Sequence, residues 1–125
     1  MNQILLVAFG GALGSVSRFS FNSFIYRFIG RDFPWATLGV NIIGSFFIGF
    51  LSILILKKLS VSQDIQSFLI IGFLGAFTTF SGFSLESLNL FEQGQYLYLI
   101  LNILMSVILC ILACFAGLQL AIKVY

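Results

Sequence analysis

Ten charged side chains, and the distances between them, constrain this chain more than any other feature. Arg18, Arg27, Arg31, Asp32, Lys57, Lys58, Asp64, Glu86, Glu92 and Lys123 are its only formal charges. Between them lie four charge-free runs, Met1–Ser17, Phe33–Leu56, Ile65–Leu85 and Gln93–Ile122. Each supplies about the 17 to 25 apolar residues that a helix needs to cross a bilayer. Charged residues make up 8% of the chain against roughly 25% in soluble domains, so a water-soluble globule is excluded. The expectation is one all-α transmembrane domain over residues 1–125, with four spanning helices.

Other classes fall away on similar grounds. A cleaved signal peptide starts with basic residues, whereas no lysine or arginine precedes Arg18. The net charge of +2, with no basic cluster among exposed aromatics, gives no nucleic-acid footprint. Cys110 and Cys114 share a helix face, but there is no second ligand pair and no histidine, so they read as small apolar residues and not as a zinc site.

Along the chain, a first helix is expected from Gln3 to Tyr26, with Gly10, Gly11 and Gly14 as a small-residue seam. Gly10 and Gly14 form GxxxG; the run lacks the G-x-G-x-x-G order of a dinucleotide loop. A connection from Arg27 to Asp32 leads to Pro34, which opens a second helix from Trp35 to Leu56, stopped by Lys57-Lys58. After a loop over Ser60–Asp64, a third helix runs from Ile65 to Phe91, with Gly94 as its stop. The fourth covers Tyr96 to Ala121. Short loops make sequential helices antiparallel.

Four spans put both termini and the Lys57-Lys58 loop on one side, with Lys57, Lys58 and Lys123; Arg27 and Arg31, plus Arg18 if it reaches that interface, belong to the other. The positive-inside rule therefore gives almost no bias. Two readings stand open: an orientation fixed by weaker cues, or a chain that inserts both ways round.

Three polar features lie within the apolar spans. Asn41 puts an amide into the second helix, Arg18 sits inside the end of the first, and the third carries GAFTTFSGFS over 75–84. Buried polar groups without hydrogen bonds cost several kcal/mol, so each faces protein, water or a ligand. Interhelical glue explains a lone serine or asparagine. Gly75, Thr78, Thr79, Ser81, Gly82 and Ser84 within ten residues are another matter. They predict a non-helical interruption at membrane depth, which is tolerated only where it is buried in protein or lines a cavity. Phe80 and Phe83, three apart, share a face where helix resumes, and a phenyl edge is electropositive. No carboxylate lies deep in a span, which speaks against a proton-coupled exporter. Nor does the sequence hold a nucleophile–base pair that would suggest an enzyme.

G-x-x-G-A-F-T-T-F-S-G-F from Gly72 to Phe83, Thr-Leu-Gly-Val-Asn from Thr37 to Asn41, and Gly-Gly-x-x-Gly-x-x-x-Arg from Gly10 to Arg18 resemble the Fluc (CrcB) family of fluoride channels. The resemblance extends over essentially the whole chain. It implies a dual-topology homodimer of antiparallel subunits in a bacterial plasma (inner) membrane, with the third helix broken mid-membrane and two fluoride pores. It also implies a structural sodium ion (Na+) at the dimer centre, held by the backbone carbonyls of Gly75 and Thr78. By the same resemblance Asn41 is the pore amide, and Phe80 and Phe83 form an aromatic box. Ser81 and Ser84 are nearby hydroxyls, and Ser106 belongs to a polar track on the fourth helix. Arg18 matches the basic residue near the aqueous vestibule, and Glu86 a polar residue close to the pore. Ala76, Gly82, Asn102 and Cys110 depart from the family pattern. The expected function is passive export of fluoride to relieve its toxicity. The alternatives are a small dual-topology multidrug-type exporter and a non-transporting membrane assembly subunit.

Overall fold

The structure is a computed structural model in which residues 2–55 and 61–124 are described. Among these residues all regular structure is helical: α1 Gln3–Phe28, α2 Trp35–Ile53, α3 Gln63–Gln66, a π-helical stretch Ser67–Leu74, α4 Gly75–Phe77, α5 Phe80–Glu92 and α6 Tyr96–Val124. Four helical stretches, Gln3–Phe28, Trp35–Ile53, Gln63–Glu92 and Tyr96–Val124, are long and apolar enough to cross a membrane.

The ends of these helices follow from local chemistry. The Asn2 side chain accepts the Ile4 N–H at 3.0 Å and starts α1, satisfying one of the free donors of a helix N-terminus. At its other end α1 continues two residues beyond the expected Tyr26, with Arg27 in the last turn, where a cation complements the helix dipole. Pro34 precedes α2. Ser62 caps α3 by accepting from Ile65, so the third span starts at Gln63, ahead of the expected Ile65. Gly94, at φ 71°, takes the left-handed turn that ends α5. α6 reaches Val124, three residues beyond the expected Ala121. The expected stop at Lys57-Lys58 and the Ser60 end of the following loop lie outside the described residues.

Small residues bring the backbones together. A Cβ on Gly10 would meet the Phe68 carbonyl oxygen, and one on Gly14 the Phe73 carbonyl oxygen, so α1 lies directly against the π-helical stretch. Gly72 answers from the other side, where an added Cβ would sit 2.8 Å from the Val7 carbonyl oxygen. The α2–α6 seam is built likewise, Gly49 against the Cys114 carbonyl and Gly117 against that of Phe46. In lipid there is no hydrophobic force between helices, so close van der Waals approach of this kind drives their association. Ile53, Leu54 and Ala121 form a buried cluster at one end of the α2–α6 seam.

The π-helical stretch was not expected. Its sequence, SFLIIGFL, is apolar on every face, so no periodicity in it distinguishes a wide turn from an α-helical one.

Large apolar side chains cover the outside: Ile4, Phe9, Leu13 and Phe19 on α1, and Leu97, Leu104 and Ile111 on α6, are exposed. Such faces on all-helical spans suit hydrocarbon, where every backbone group must be satisfied internally. The protein is a multi-pass membrane protein.

Candidate functional site

Between α4 and α5 the backbone leaves the helical region for two residues. Thr78 lies at φ −80°, ψ 158° and Thr79 at φ −152°, ψ 113°. Two helices hold this extended pair. From α2, the Asn41 amide makes a two-way contact with one residue: Nδ2 donates to the Thr79 carbonyl at 3.0 Å, and Oδ1 accepts the Thr79 N–H at 2.8 Å. From α1, Arg18 Nη1 donates to the Thr78 carbonyl at 3.1 Å. In an uninterrupted α-helix the Thr79 N–H would serve the Gly75 carbonyl; here Asn41 takes it.

The threonine hydroxyls complete the turn. Thr78 Oγ1 donates back to the Leu74 carbonyl at 3.0 Å, while Thr79 Oγ1 accepts the Gly82 N–H at 2.9 Å and caps α5. Gly44 on α2 gives the pair room, since a Cβ there would strike Thr78 Cγ2.

Beside the extended pair lies an open groove of about 280 Å³ between α2, α5 and α6, and Asn41, Thr78, Thr79, Phe80, Phe83 and Ser106 all line it. Residues predicted from three separate parts of the sequence thus meet at one place. The Phe80 and Phe83 rings are 5.4 Å apart at 47°, and Phe80 is 79% exposed, so it does little core packing within one chain. Ser106 Oγ lies 3.5 Å from Asn102 Oδ1, and Asn102 Nδ2 donates to Ser87 Oγ at 3.0 Å. Asn102 is 2% exposed, and this pair of contacts satisfies its amide inside the α5–α6 contact.

Other predicted residues fall elsewhere. Ser84 Oγ bonds back to the Phe80 carbonyl at 3.0 Å, and Ser81 Oγ pairs with Thr79 Oγ1 at 3.2 Å; neither lines the groove. Gly75 is exposed on the chain surface. Arg18, expected near a vestibule, contacts the backbone of the extended pair and does not line the groove.

A second polar site was only partly foreseen. Glu86 Oε1 accepts from Thr37 Oγ1 at 2.7 Å and from the Tyr26 hydroxyl at 3.3 Å, joining α1, α2 and α5. Arg31 stacks over the Tyr26 ring at 4.8 Å, and a cavity of about 200 Å³ opens between Tyr26, Arg31 and Glu86. Nothing in the sequence around Tyr26 marks it as a partner of Glu86.

The sodium site that the resemblance implies needs oxygens from Gly75 and Thr78. Backbone carbonyls are the right kind of ligand for a hard cation. The Thr78 oxygen, however, already accepts from a guanidinium. Unit charges about 4 Å apart repel by about 4 kcal/mol at an effective dielectric near 20. A carbonyl oxygen has two lone pairs, so Arg18 leaves one on Thr78, and a sodium ion there would work against that repulsion.

A family model described as CrcB-like protein, Camphor Resistance (CrcB), matches residues 5–118. The chain belongs to the CrcB family. Among its CrcB relatives, a protein of Magnetococcus marinus is 48% identical over 116 residues, covering 93% of this chain and 94% of the relative. One of Rhizobium meliloti is 50% identical over 120 residues, 96% of each chain. Another, of Geobacter sulfurreducens, is 45% identical over 121 residues, 97% of this chain and 98% of the relative. All three are named fluoride-specific ion channel FluC, a channel's name and not an enzyme's.

Proposed function

We propose that this CrcB protein is a fluoride-selective channel that lets fluoride leave the cell passively and so relieves its toxicity. The observation that carries the reading is the groove, where an amide, a serine hydroxyl and two phenyl rings converge without any formal charge. The names of the relatives support fluoride as the ion.

Fluoride is small and strongly hydrated, so a selective path has to replace its water with close donors that do not hold it too tightly. An asparagine Nδ2 carries two hydrogens. One serves the Thr79 carbonyl, and in this proposal the other is offered to the anion. The Ser106 hydroxyl turns from Asn102 to the ion, and the edges of Phe80 and Phe83 face it.

The proposal includes an antiparallel, dual-topology homodimer in the bacterial inner membrane, with two pores and the extended pair at mid-membrane depth. The exposure of Gly75 and of the apolar faces on α1 and α6 is compatible with a second copy there. A sodium ion on the dimer axis, held by Gly75 and Thr78 carbonyls of both chains, belongs to the same proposal.

One observation favours a second reading. The side chains of Asn41, Thr78, Thr79, Ser81 and Ser84 are all hydrogen-bonded within the chain, Asn41 as glue between two spans and the others within the third span, as in a non-transporting subunit they would be. Liposomes loaded with fluoride separate the two. Passive release of fluoride supports the channel, and silence supports the subunit. Proton-coupled uptake of a hydrophobic cation would point to the exporter.

A further inference from the structure

We propose that the cavity between the α1–α2 connection and the start of α6 is a binding site for the headgroup of an amine lipid, phosphatidylethanolamine. The cavity measures about 260 Å³, and Asp32, Phe33, Trp35, Tyr98, Leu101 and Met105 line it. It shares no lining residue with the groove at the extended pair. The inference does not depend on the channel reading; it requires only that the four helices cross a membrane.

The place of the cavity in the bilayer follows from the helix ends. α1 stops at Phe28, α2 starts at Trp35 and α6 at Tyr96, so the cavity opens where three spans reach the membrane surface. Three rings are held against one another there. Phe33 is buried, and its ring lies 4.6 Å from that of Trp35 and 5.7 Å, edge to face, from that of Tyr98. It thus fixes two exposed aromatic residues at headgroup level, where Trp and Tyr favour a setting apolar at one end and wet at the other. On α6, Leu101 and Met105 follow Tyr98 three and seven residues on, an apolar stripe that leads from the cavity toward the bilayer centre. That stripe suits an acyl chain.

Charge selects the headgroup. Among the described residues Asp32 has no hydrogen bond or ion pair, and it is exposed. A carboxylate with no cation of its own, beside aromatic rings, favours an ammonium group: the carboxylate accepts its hydrogen bonds and the ring faces attract its charge. The preceding residue, Arg31, sits over the Tyr26 ring at 4.8 Å, likewise without a carboxylate partner among the described residues, and can serve the lipid phosphate. A carboxylate and a guanidinium on adjacent residues at the membrane surface match the ammonium and the phosphate of one zwitterionic headgroup. Phosphatidylglycerol, which has no amine, would leave Asp32 unpaired.

The test is native mass spectrometry of the purified full-length protein in detergent, titrated with phosphatidylethanolamine or with phosphatidylglycerol carrying the same acyl chains. The wild type should bind phosphatidylethanolamine about tenfold more tightly, which is about 1.4 kcal/mol. Asp32→Asn, at an exposed residue without internal bonds, should fold normally and lose that preference. Tyr98→Leu keeps the carboxylate and should reduce the preference about threefold. Equal binding of the two lipids by the wild type, the mark of unselective annular lipid, would overturn the inference. So would a preference that survives both substitutions unchanged, since it would place the lipid elsewhere. A second copy of the chain seated over the cavity would give no lipid preference and a dimer that Tyr98→Leu dissociates, and that result overturns it too.

Discussion

Replacing Asn41 by leucine keeps the side-chain volume roughly constant and removes both contacts to Thr79. The structure lets the cost be worked out. The Thr79 N–H and C=O bond to Asn41 at 2.8 and 3.0 Å, and with Thr79 extended neither has its helical i±4 arrangement to return to. A buried backbone group left unsatisfied costs about 1–3 kcal/mol, so the two together predict a loss of about 2–6 kcal/mol. Asn41→Asp keeps the acceptor for the Thr79 N–H but turns an oxygen toward the Thr79 carbonyl. It should lose at least about 1–3 kcal/mol from the carbonyl, and more from the charge it places within a membrane span. Stability would be read by SDS-titrated unfolding in mixed micelles, and function by fluoride efflux from liposomes. Both variants should lose efflux and stability. An Asn41→Leu protein within about 0.5 kcal/mol of the wild type, the range of an innocuous surface change, would refute the clamp.

Further expectations separate packing from conduction. Phe80→Ile should slow fluoride efflux yet change stability by no more than about 0.5 kcal/mol, because the ring is exposed; a large stability loss on unfolding would return Phe80 to the core. Gly14→Ala should destabilise the protein by about 1–3 kcal/mol in thermal or SDS unfolding, since its Cβ has no room beside the Phe73 carbonyl. Thr37→Val removes the 2.7 Å bond to Glu86 and should cost about 1.5–3 kcal/mol; a stability equal to wild type would show that Tyr26 alone suffices. A reporter fused after Tyr125 should register on both sides of the membrane, and strictly one-sided signal would rule out an antiparallel homodimer of this chain.

What the sequence disclosed depended on how local the responsible physics was. The four spans were legible because bilayer thickness imposes a length on apolar runs, and the charges punctuate them at that length. Stops such as Gly94 were legible because a left-handed turn favours glycine. The density of hydroxyls from Thr78 to Ser84 marked the right segment, but not what each hydroxyl does. Ser84 and Thr78 bond to their own preceding turn, a choice decided by local backbone, whereas Ser106 reaches the groove only through the packing of α6 on α2 and α5. Arg18 on the Thr78 carbonyl and Tyr26 on Glu86 each join residues sixty apart, and no local pattern encodes such a meeting. The π-helical turns over Ser67–Leu74 left no trace for a different reason: their register is set by the glycine contacts with α1, not by any alternation of polar and apolar faces.

The central claim, that fluoride passes through this protein down its own gradient, is tested most directly by charge balance in sealed liposomes. Vesicles carrying the purified protein are loaded with potassium fluoride, diluted into fluoride-free medium, and followed with a fluoride electrode before and after addition of the potassium carrier valinomycin. An electrogenic channel builds up an opposing potential at once, so little fluoride should leave until valinomycin lets potassium follow; release should then be rapid, and vesicles loaded with potassium chloride should release almost no chloride. Fluoride release that does not respond to valinomycin, equal release of chloride, or no release at all would contradict the account.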